Sequence, residues 1–194
     1  MARAIQLGDR GADNPVKPLA LLSLIFAGAM FGFFFAWVCS TMWGLDAADP
    51  NVAIPAMQAM NASVRNWVFA PAFFGTPVLL MFTALAATRA RERPVATRFA
   101  LAALFYVVGV IVPTMTANVP LNEALALVET PLGPAEAGEA WRAYSGPWQY
   151  WNVVRAASAG LVLALAGWGL SGTGSVPPGV GRRGASTPNG ATSH

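Results

Sequence analysis

Four long apolar stretches constrain this chain more than any other feature of its sequence. They cover about residues 19–43, 68–88, 99–115 and 148–170, and each approaches the roughly 20 residues that a helix needs to cross a bilayer core. Backbone groups find no water there, so such segments cross as helices. Only 11% of the residues are charged, against roughly 25% in soluble domains. The sequence therefore predicts an all-α integral membrane protein with four spans.

The basic residues predict how these spans are oriented. Most of them lie before the first span, between the second and third spans, or in the tail: Arg3, Arg10, Lys17, Arg89, Arg91, Arg93, Arg98, Arg182 and Arg183. The other two loops contain only Arg65 and Arg142. Because cytoplasmic loops collect Lys and Arg, we expect both termini in the cytoplasm and both long loops outside. Short connections favour antiparallel neighbours, which predicts a four-helix up-down bundle.

The pattern divides the chain into three regions. Residues 1–17 form a polar lead, residues 18–170 a four-span membrane domain, and residues 171–194 a Gly/Ser/Pro/Thr-rich tail that we expect to be disordered. Short amphipathic helices are expected in both outer loops. In the first loop Ile54, Met57, Met60 and Val64 form an apolar stripe. In the second, a helix is expected at about residues 121–128, and a helical turn at about 136–144 within a loop.

Several classes of site are not supported by the residues present. Cys39 is the single cysteine and has no intramolecular partner. The only histidine, His194, is the last residue of the tail, so the spans lack the usual axial haem ligand and the Glu-x-x-His motif of di-iron bundles. We therefore expect no metal and no bound cofactor. The arginines do not gather on a soluble face, and we expect no nucleic-acid partner.

The fourth span carries a polar stripe in its outer half. Trp148, Asn152 and Arg155 follow one another at helical spacing and share one face of the helix. An ionisable side chain at membrane depth costs a few kcal/mol or more and usually faces a partner or a cavity. Arg155 is therefore expected to point into the bundle rather than towards lipid.

The predicted partner of Arg155 is Glu123. The fork of an arginine suits a carboxylate, and Glu123 is the outer acid nearest the end of a span, beside Asn118 and Asn122. We expect an Arg155–Glu123 ion pair with Asn118, Asn122 and Asn152 around it. Such a network could line a pocket, or it could simply be a buried structural lock between two helices.

Aromatic residues also concentrate near the outer side. Trp141, Tyr144, Trp148 and Trp151 lie around the start of the fourth span. One interpretation is an aromatic belt, because Trp and Tyr collect at the level of the lipid headgroups. The other is that they form the flat walls of a substrate pocket. Few aromatic residues lie near the cytoplasmic side, which favours the second interpretation.

Several segments together indicate a family. GAMFGFFFAW, AIPAMQAMNASVRN, FFGTP, ANVPLNEAL and WQYWNVVR occur in this order within residues 28–160, and this arrangement resembles the anthrone oxygenase family. The resemblance implies a four-helix integral membrane protein that oxidises an anthrone to an anthraquinone with O2. The carbanion of an anthrone is electron-rich enough to react with oxygen directly, which agrees with the expected absence of a metal.

This chemistry suggests roles for the candidate residues. Glu123 would act as the base, while Asn118, Asn122, Asn152 and Arg155 would donate hydrogen bonds to the enolate oxygen. Trp141, Tyr144, Trp148 and Trp151 would hold the flat substrate. The expected partners are the lipid bilayer, a lipophilic polycyclic or phenolic substrate, and O2. Richness in Ala and Arg with a single Lys suggests a bacterial inner membrane. The alternative is a non-catalytic binding or accessory subunit that uses the same pocket for docking.

Overall fold

The computed structural model describes residues 14–174, and this part of the chain is helical without strands. Its helices are α1 (Val16–Asp46), α2 (Pro50–Ser63), α3 (Phe69–Arg89), α4 (Arg93–Ala126) and α5 (Pro134–Ser171). All except α2 are long and apolar enough to cross a membrane. The prediction of an all-α, four-span fold is confirmed, and the chain is a multi-pass membrane protein. The polar lead before residue 14 and the tail from residue 175 lie outside the described residues.

The four long helices form a ring of antiparallel neighbours. α1 packs against α3 and α5, and α4 packs against the same two helices. Asn14 donates a hydrogen bond to Glu92 across 3.1 Å, so the start of α1 lies at the turn between α3 and α4. We call this the basic end of the bundle. The opposite end, which contains α2, the end of α1 and the connection between α4 and α5, is called the loop end.

The interior is built from aromatic side chains set against small residues. Phe34, Phe73 and Phe99 are buried, and the hydroxyl of Tyr106 donates to the carbonyl of Phe73 at 3.0 Å. The outer faces carry exposed Leu, Ile, Val and Phe side chains, including Ile25, which is 58% exposed. Because lipid is apolar, such faces are compatible with a bilayer environment.

α4 and α5 approach each other closely at Gly109. A Cβ atom added there would lie 2.6 Å from Ser158 Cβ, whereas one added to Gly32 in α1 would have no neighbouring atom within 4 Å. We expect Gly109→Ala to lower the free energy of unfolding by about 1–3 kcal/mol, since overpacking forces the helices apart. Ser158→Gly should restore part of the loss, and Gly32→Ala should have little effect. Thermal unfolding in detergent checks this, and equal losses at Gly109 and Gly32 would contradict it.

α2 covers the loop end with the apolar stripe that the sequence predicts. It begins after Asp49, whose carboxylate accepts a hydrogen bond from the Asn51 backbone N–H at 2.8 Å. Ala53, Ile54 and Met57 are fully buried. They pack with Met42, Leu125, Trp141, Tyr144 and Trp148 in a cluster separate from the main core.

Polar side chains fasten α2 to the connection between α4 and α5. The amide of Gln58 donates to the carbonyls of Leu125 and Val128 at 2.8 and 2.9 Å. Asn51 makes two hydrogen bonds with the backbone of Leu132, one as donor and one as acceptor, at 3.1 and 2.8 Å. The carbonyl of Leu125 also accepts from the Val128 backbone N–H at 3.0 Å, so the side chains of α2 add to a turn that is already hydrogen-bonded and hold α2 over the loop end.

Two helices are longer than the sequence pattern indicates. α4 continues through residues 115–118 into the segment that was predicted as a separate amphipathic helix. α5 begins at Pro134, in the stretch predicted as a loop, and contains Pro147. Proline normally signals a helix boundary because it lacks an N–H and crowds the preceding turn. Here Pro134 stands in the first turn, where the N–H would have no partner.

π-helical turns interrupt α1 and α4 near the loop end. They occur at Trp37–Thr41 in α1 and at Val107–Ile111 and Thr114–Asn118 in α4. In each turn a backbone N–H bonds to the carbonyl five residues earlier, such as Val119 to Thr114. A π turn inserts an extra residue and reorients neighbouring side chains, and such turns are frequent at functional sites.

Candidate functional site

Arg155 lies inside the bundle on α5, as the sequence predicts. Only 6% of its surface is exposed. Its guanidinium carbon lies 4.8 Å from the ring centre of Phe34 and 5.2 Å from that of Trp148, at distances typical of cation–π contacts. Nη1 donates to the hydroxyl of Thr114 at 3.3 Å, and Nη2 donates to Asn152 Oδ1 at 3.0 Å.

The predicted ion pair between Arg155 and Glu123 is not formed. Glu123 is exposed, and within residues 14–174 no carboxylate oxygen lies within 4.0 Å of the Arg155 guanidinium. Successive residues on a helix point about 100° apart. The neighbouring residue, Asn122, faces Tyr144, so Glu123 is turned away from the bundle. Arg155 is a buried cation held by neutral groups.

Of the three predicted asparagines, Asn152 bonds to Arg155 directly, whereas Asn118 and Asn122 line the same cavity as Arg155. Asn152 is buried and donates to the carbonyl of Phe34 at 3.2 Å. Asn118 is also buried and donates to the carbonyl of Trp148 at 3.2 Å. These contacts hold α5 against both α1 and α4.

Asn122 belongs to a second set of hydrogen bonds. Its Oδ1 accepts from the Tyr144 hydroxyl at 2.8 Å, and the same hydroxyl accepts from the amide of Asn61 at 3.3 Å. The Tyr144 ring packs at a tilt of 33° against Trp148, with 6.4 Å between ring centres. Tyr144 therefore links α2, α4 and α5 directly behind Trp148.

A cavity of about 540 Å³ opens at this position. Its walls are mainly aromatic and aliphatic, with a few polar groups, as in typical small-molecule sites. The lining residues come from all five helices and from the connection between α2 and α3: Phe33, Trp37, Met60, Asn61, Val64, Arg65, Asn66, Trp67, Phe69, Ala70, Phe73, Phe74, Thr114, Met115, Asn118, Val119, Asn122, Trp148 and Arg155. We call this cavity the aromatic pocket.

Three buried polar atoms of the lining residues have no hydrogen-bond partner in the described part of the chain. They are Arg155 Nε, Trp148 Nε1 and Asn118 Oδ1. A buried polar group without a partner costs about 1–3 kcal/mol. Two unpaired donors and one unpaired acceptor on the lining residues of one pocket are groups that a ligand or an ordered water molecule would satisfy.

The charge in the aromatic pocket has one sign. Arg155 is buried and Arg65 is exposed at the edge, and the lining contains no Asp, Glu or His. Elsewhere in residues 14–174, no group of three or more His, Cys, Asp or Glu side chains is placed to hold a metal ion. Attraction between opposite charges is stronger in a poorly solvated pocket than in water. The pocket therefore favours a flat ligand that carries or develops negative charge.

Other predicted site residues lie away from the pocket. Trp141 donates through Nε1 to Asp46 at 2.9 Å, and Ser145 and Gln149 donate to the same carboxylate. This cluster joins the end of α1 to α5. Trp151 packs edge-on against Tyr150 with 5.3 Å between ring centres and does not line the pocket.

Sequence reasoning assigned no role to several lining residues. Trp37 packs against Trp148 with ring centres 5.2 Å apart. Phe69 stacks on Phe73, with 5.3 Å between ring centres. Thr114 holds Arg155 from the π turn of α4. GAMFGFFFAW contains Trp37, but periodicity alone did not distinguish it from a lipid-facing aromatic residue.

Comparison with known proteins identifies a family for this chain. The sequence model described as "Anthrone oxygenase" matches residues 65–165, which include α3, α4 and the part of α5 that carries Trp148, Asn152 and Arg155. No curated protein and no solved structure matches the chain. The matched region covers more than half of the chain, and the resemblance noted in the sequence is confirmed: the chain belongs to the anthrone oxygenase family.

Proposed function

We propose that this protein is a membrane-embedded oxygenase that binds the enolate of a lipophilic anthrone-like or phenolic substrate and lets it react with O2. The observation that carries this proposal is Arg155, a buried cation with no carboxylate partner among residues 14–174. Its Nε–H and the Nε1–H of Trp148 have no acceptor in the part of the chain that the structure describes. Donors already in place where charge develops stabilise a transition state strongly.

The reaction balances without a further reductant. The substrate loses a proton from its methylene carbon and becomes an enolate. Electrons from that carbon pass to O2, a C–O bond forms, and protonation gives a hydroperoxide. Loss of water from the hydroperoxide leaves a carbonyl group. One oxygen atom enters the quinone and the other leaves as water.

The chain's own groups serve this sequence by binding and orientation. Arg155 and Trp148 donate to the enolate oxygen, and Asn118 Oδ1 accepts from a neighbouring hydroxyl of the substrate. The rings of Trp37, Phe73 and Trp148 provide flat walls. Glu123 lies outside the lining, so we assign proton removal to water, with Arg155 lowering the free energy of the enolate.

Oxygen uptake tests the proposal. Purified protein in lipid nanodiscs is mixed with emodin anthrone, while dissolved O2 and the absorbance of the anthraquinone product are recorded. We expect uptake well above the spontaneous rate, with one O2 consumed per anthraquinone formed. Nanodiscs without protein provide the background, and uptake no faster than this background would contradict turnover.

Binding without turnover is the second candidate function. The observation that favours it is the absence of Asp, Glu and His from the lining, since these residues are the usual bases. A binding protein would quench its tryptophan fluorescence when emodin is added, yet would leave the oxidation rate of emodin anthrone at background.

We propose a bacterial inner membrane as the location, with the basic end in the cytoplasm and the aromatic pocket on the outer side. The support is the distribution of basic residues between the two ends. Reporter fusions after Arg91 and after Gly133 should report opposite sides, with Arg91 cytoplasmic. The same side for both fusions would contradict this orientation.

A further inference from the structure

α2 covers the part of the loop end that faces the connection between α4 and α5, while the exposed residues Arg65, Asn66 and Trp67 of the connection between α2 and α3 form the remaining edge of the aromatic pocket at this end. α2 lies over that end with Ile54 and Met57 fully buried. Gln58 and Asn51 tie it to the connection between α4 and α5, and Asn61 ties it to Tyr144. A flat hydrophobic ligand entering through α2 would have to break these contacts, and one entering beside α2 would have to leave the bilayer and pass the polar side chains of Arg65 and Asn66.

The side of the bundle is different, because α3 and α4 diverge towards the loop end. α3 packs against the first part of α4, Arg93–Tyr106, whereas residues 107–126 of α4 pack against α2 and α5. The change of partner begins at the first π turn of α4, Val107–Ile111. Divergence leaves a gap between the start of α3 and the last part of α4.

Two side chains show that this gap reaches the flank of the bundle. Phe74 on α3 and Met115 on α4 both line the aromatic pocket, and they are 55% and 52% exposed. A residue that lines a pocket and is also exposed on the flank of a transmembrane bundle marks an opening towards lipid. Ala70, one helical turn before Phe74, lines the same opening and has a small side chain.

We propose that ligands enter the aromatic pocket laterally from the bilayer, through a portal between α3 and α4 flanked by Ala70, Phe74 and Met115. This inference deepens the proposed function and rests on its ligand site. The ligand class is a flat aromatic molecule that partitions into lipid and carries one oxygen-bearing edge. The apolar body passes between apolar side chains, and the oxygen-bearing edge reaches Arg155 at the inner end.

The route is tested by the kinetics of emodin binding in nanodiscs, followed by quenching of tryptophan fluorescence. Ala70→Trp and Met115→Trp narrow the portal, whereas Phe74→Ala widens it. Val78→Trp on α3 and Val108→Trp on α4 are matched controls, because both positions are exposed and neither lines the pocket. The control variants also contain one added tryptophan each, so they show how much fluorescence such an addition contributes.

Narrowing should slow association and dissociation together by roughly tenfold, because an obstructed route delays both steps. Widening should accelerate both, and the controls should match the unmodified protein. Unchanged association in Ala70→Trp and Met115→Trp, or faster dissociation without slower association, would overturn the lateral route. Arg155→Met distinguishes a wrong route from a wrong ligand site. If only the route is wrong, this variant still weakens emodin binding; if the ligand site is wrong, the variant leaves emodin binding unchanged.

Discussion

Replacement of Arg155 by methionine should reduce emodin binding and the oxidation of emodin anthrone by roughly 10- to 100-fold. Hydrogen bonds to a charged group contribute about 1.5–3 kcal/mol, and about 1.4 kcal/mol corresponds to a factor of ten. Met keeps an apolar side chain of comparable length against Phe34 and Trp148, so the change removes mainly charge and donors. Arg155→Lys is the matched control, since it keeps the charge without the planar fork, and it should retain part of the affinity.

The same substitution should leave the free energy of unfolding within about 1 kcal/mol of the original value, or raise it. Breaking a buried ion pair costs about 3–5 kcal/mol because one charge is left alone. No carboxylate in residues 14–174 is paired with Arg155, so no charge is stranded. The substitution removes the donors to Asn152 Oδ1 and Thr114 Oγ1 and the cation–π contacts with Phe34 and Trp148, and these losses are offset by removal of a buried cation.

Thermal unfolding in detergent of Arg155→Met, Glu123→Gln and the double variant measures this directly. We expect Glu123→Gln to be neutral, because Glu123 is exposed, and the two changes to be additive. A large loss in Arg155→Met that Glu123→Gln partly restores would show that the two side chains form an ion pair after all.

Replacement of Trp148 by alanine should have the largest effect on stability, a loss of about 3–5 kcal/mol in the free energy of unfolding. Trp148 is 4% exposed and packs against Trp37, Tyr144 and the Arg155 guanidinium. Removing the ring leaves a cavity that joins the aromatic pocket. Calorimetry or thermal unfolding in nanodiscs measures the loss.

Trp148→Phe separates packing from hydrogen bonding at the same position. Phenylalanine retains most of the ring contact, and the lost Nε1–H has no partner in the described part of the chain. We expect a much smaller loss of stability than in Trp148→Ala, with emodin bound several-fold more weakly. Unchanged emodin affinity in Trp148→Phe would show that this N–H does not contact the ligand.

The polar stripe of α5 illustrates what could be predicted from sequence. Trp148, Asn152 and Arg155 share one face of a single helix, and that relation depends only on the helical period. The cost of a charge at membrane depth then determined that this face points inward. Both inferences are local, and the structure agrees with them.

The partner of Arg155 illustrates what could not be predicted from sequence. Choosing Glu123 required the rotation of α4 about its axis near residue 123. That rotation depends on the π turn at Thr114–Asn118, which inserts an extra residue without a visible signal in TMTAN. The same turn brings Thr114 to Arg155.

Hydrophobic length and helical period are properties of single segments, so the residues alone predict the number of spans, the apolar face of α2 and the inward direction of Arg155. Contacts between segments could not be predicted in this way: Thr114 accepts a hydrogen bond from Arg155, Trp37 packs on the neighbouring Trp148, and no carboxylate within residues 14–174 pairs with the arginine. The divergence of α3 and α4 at the loop end is also visible only in the folded structure. The physical reason is that helix rotation and spacing follow from packing between residues far apart in the chain, such as Phe34 with Asn152, 118 positions away.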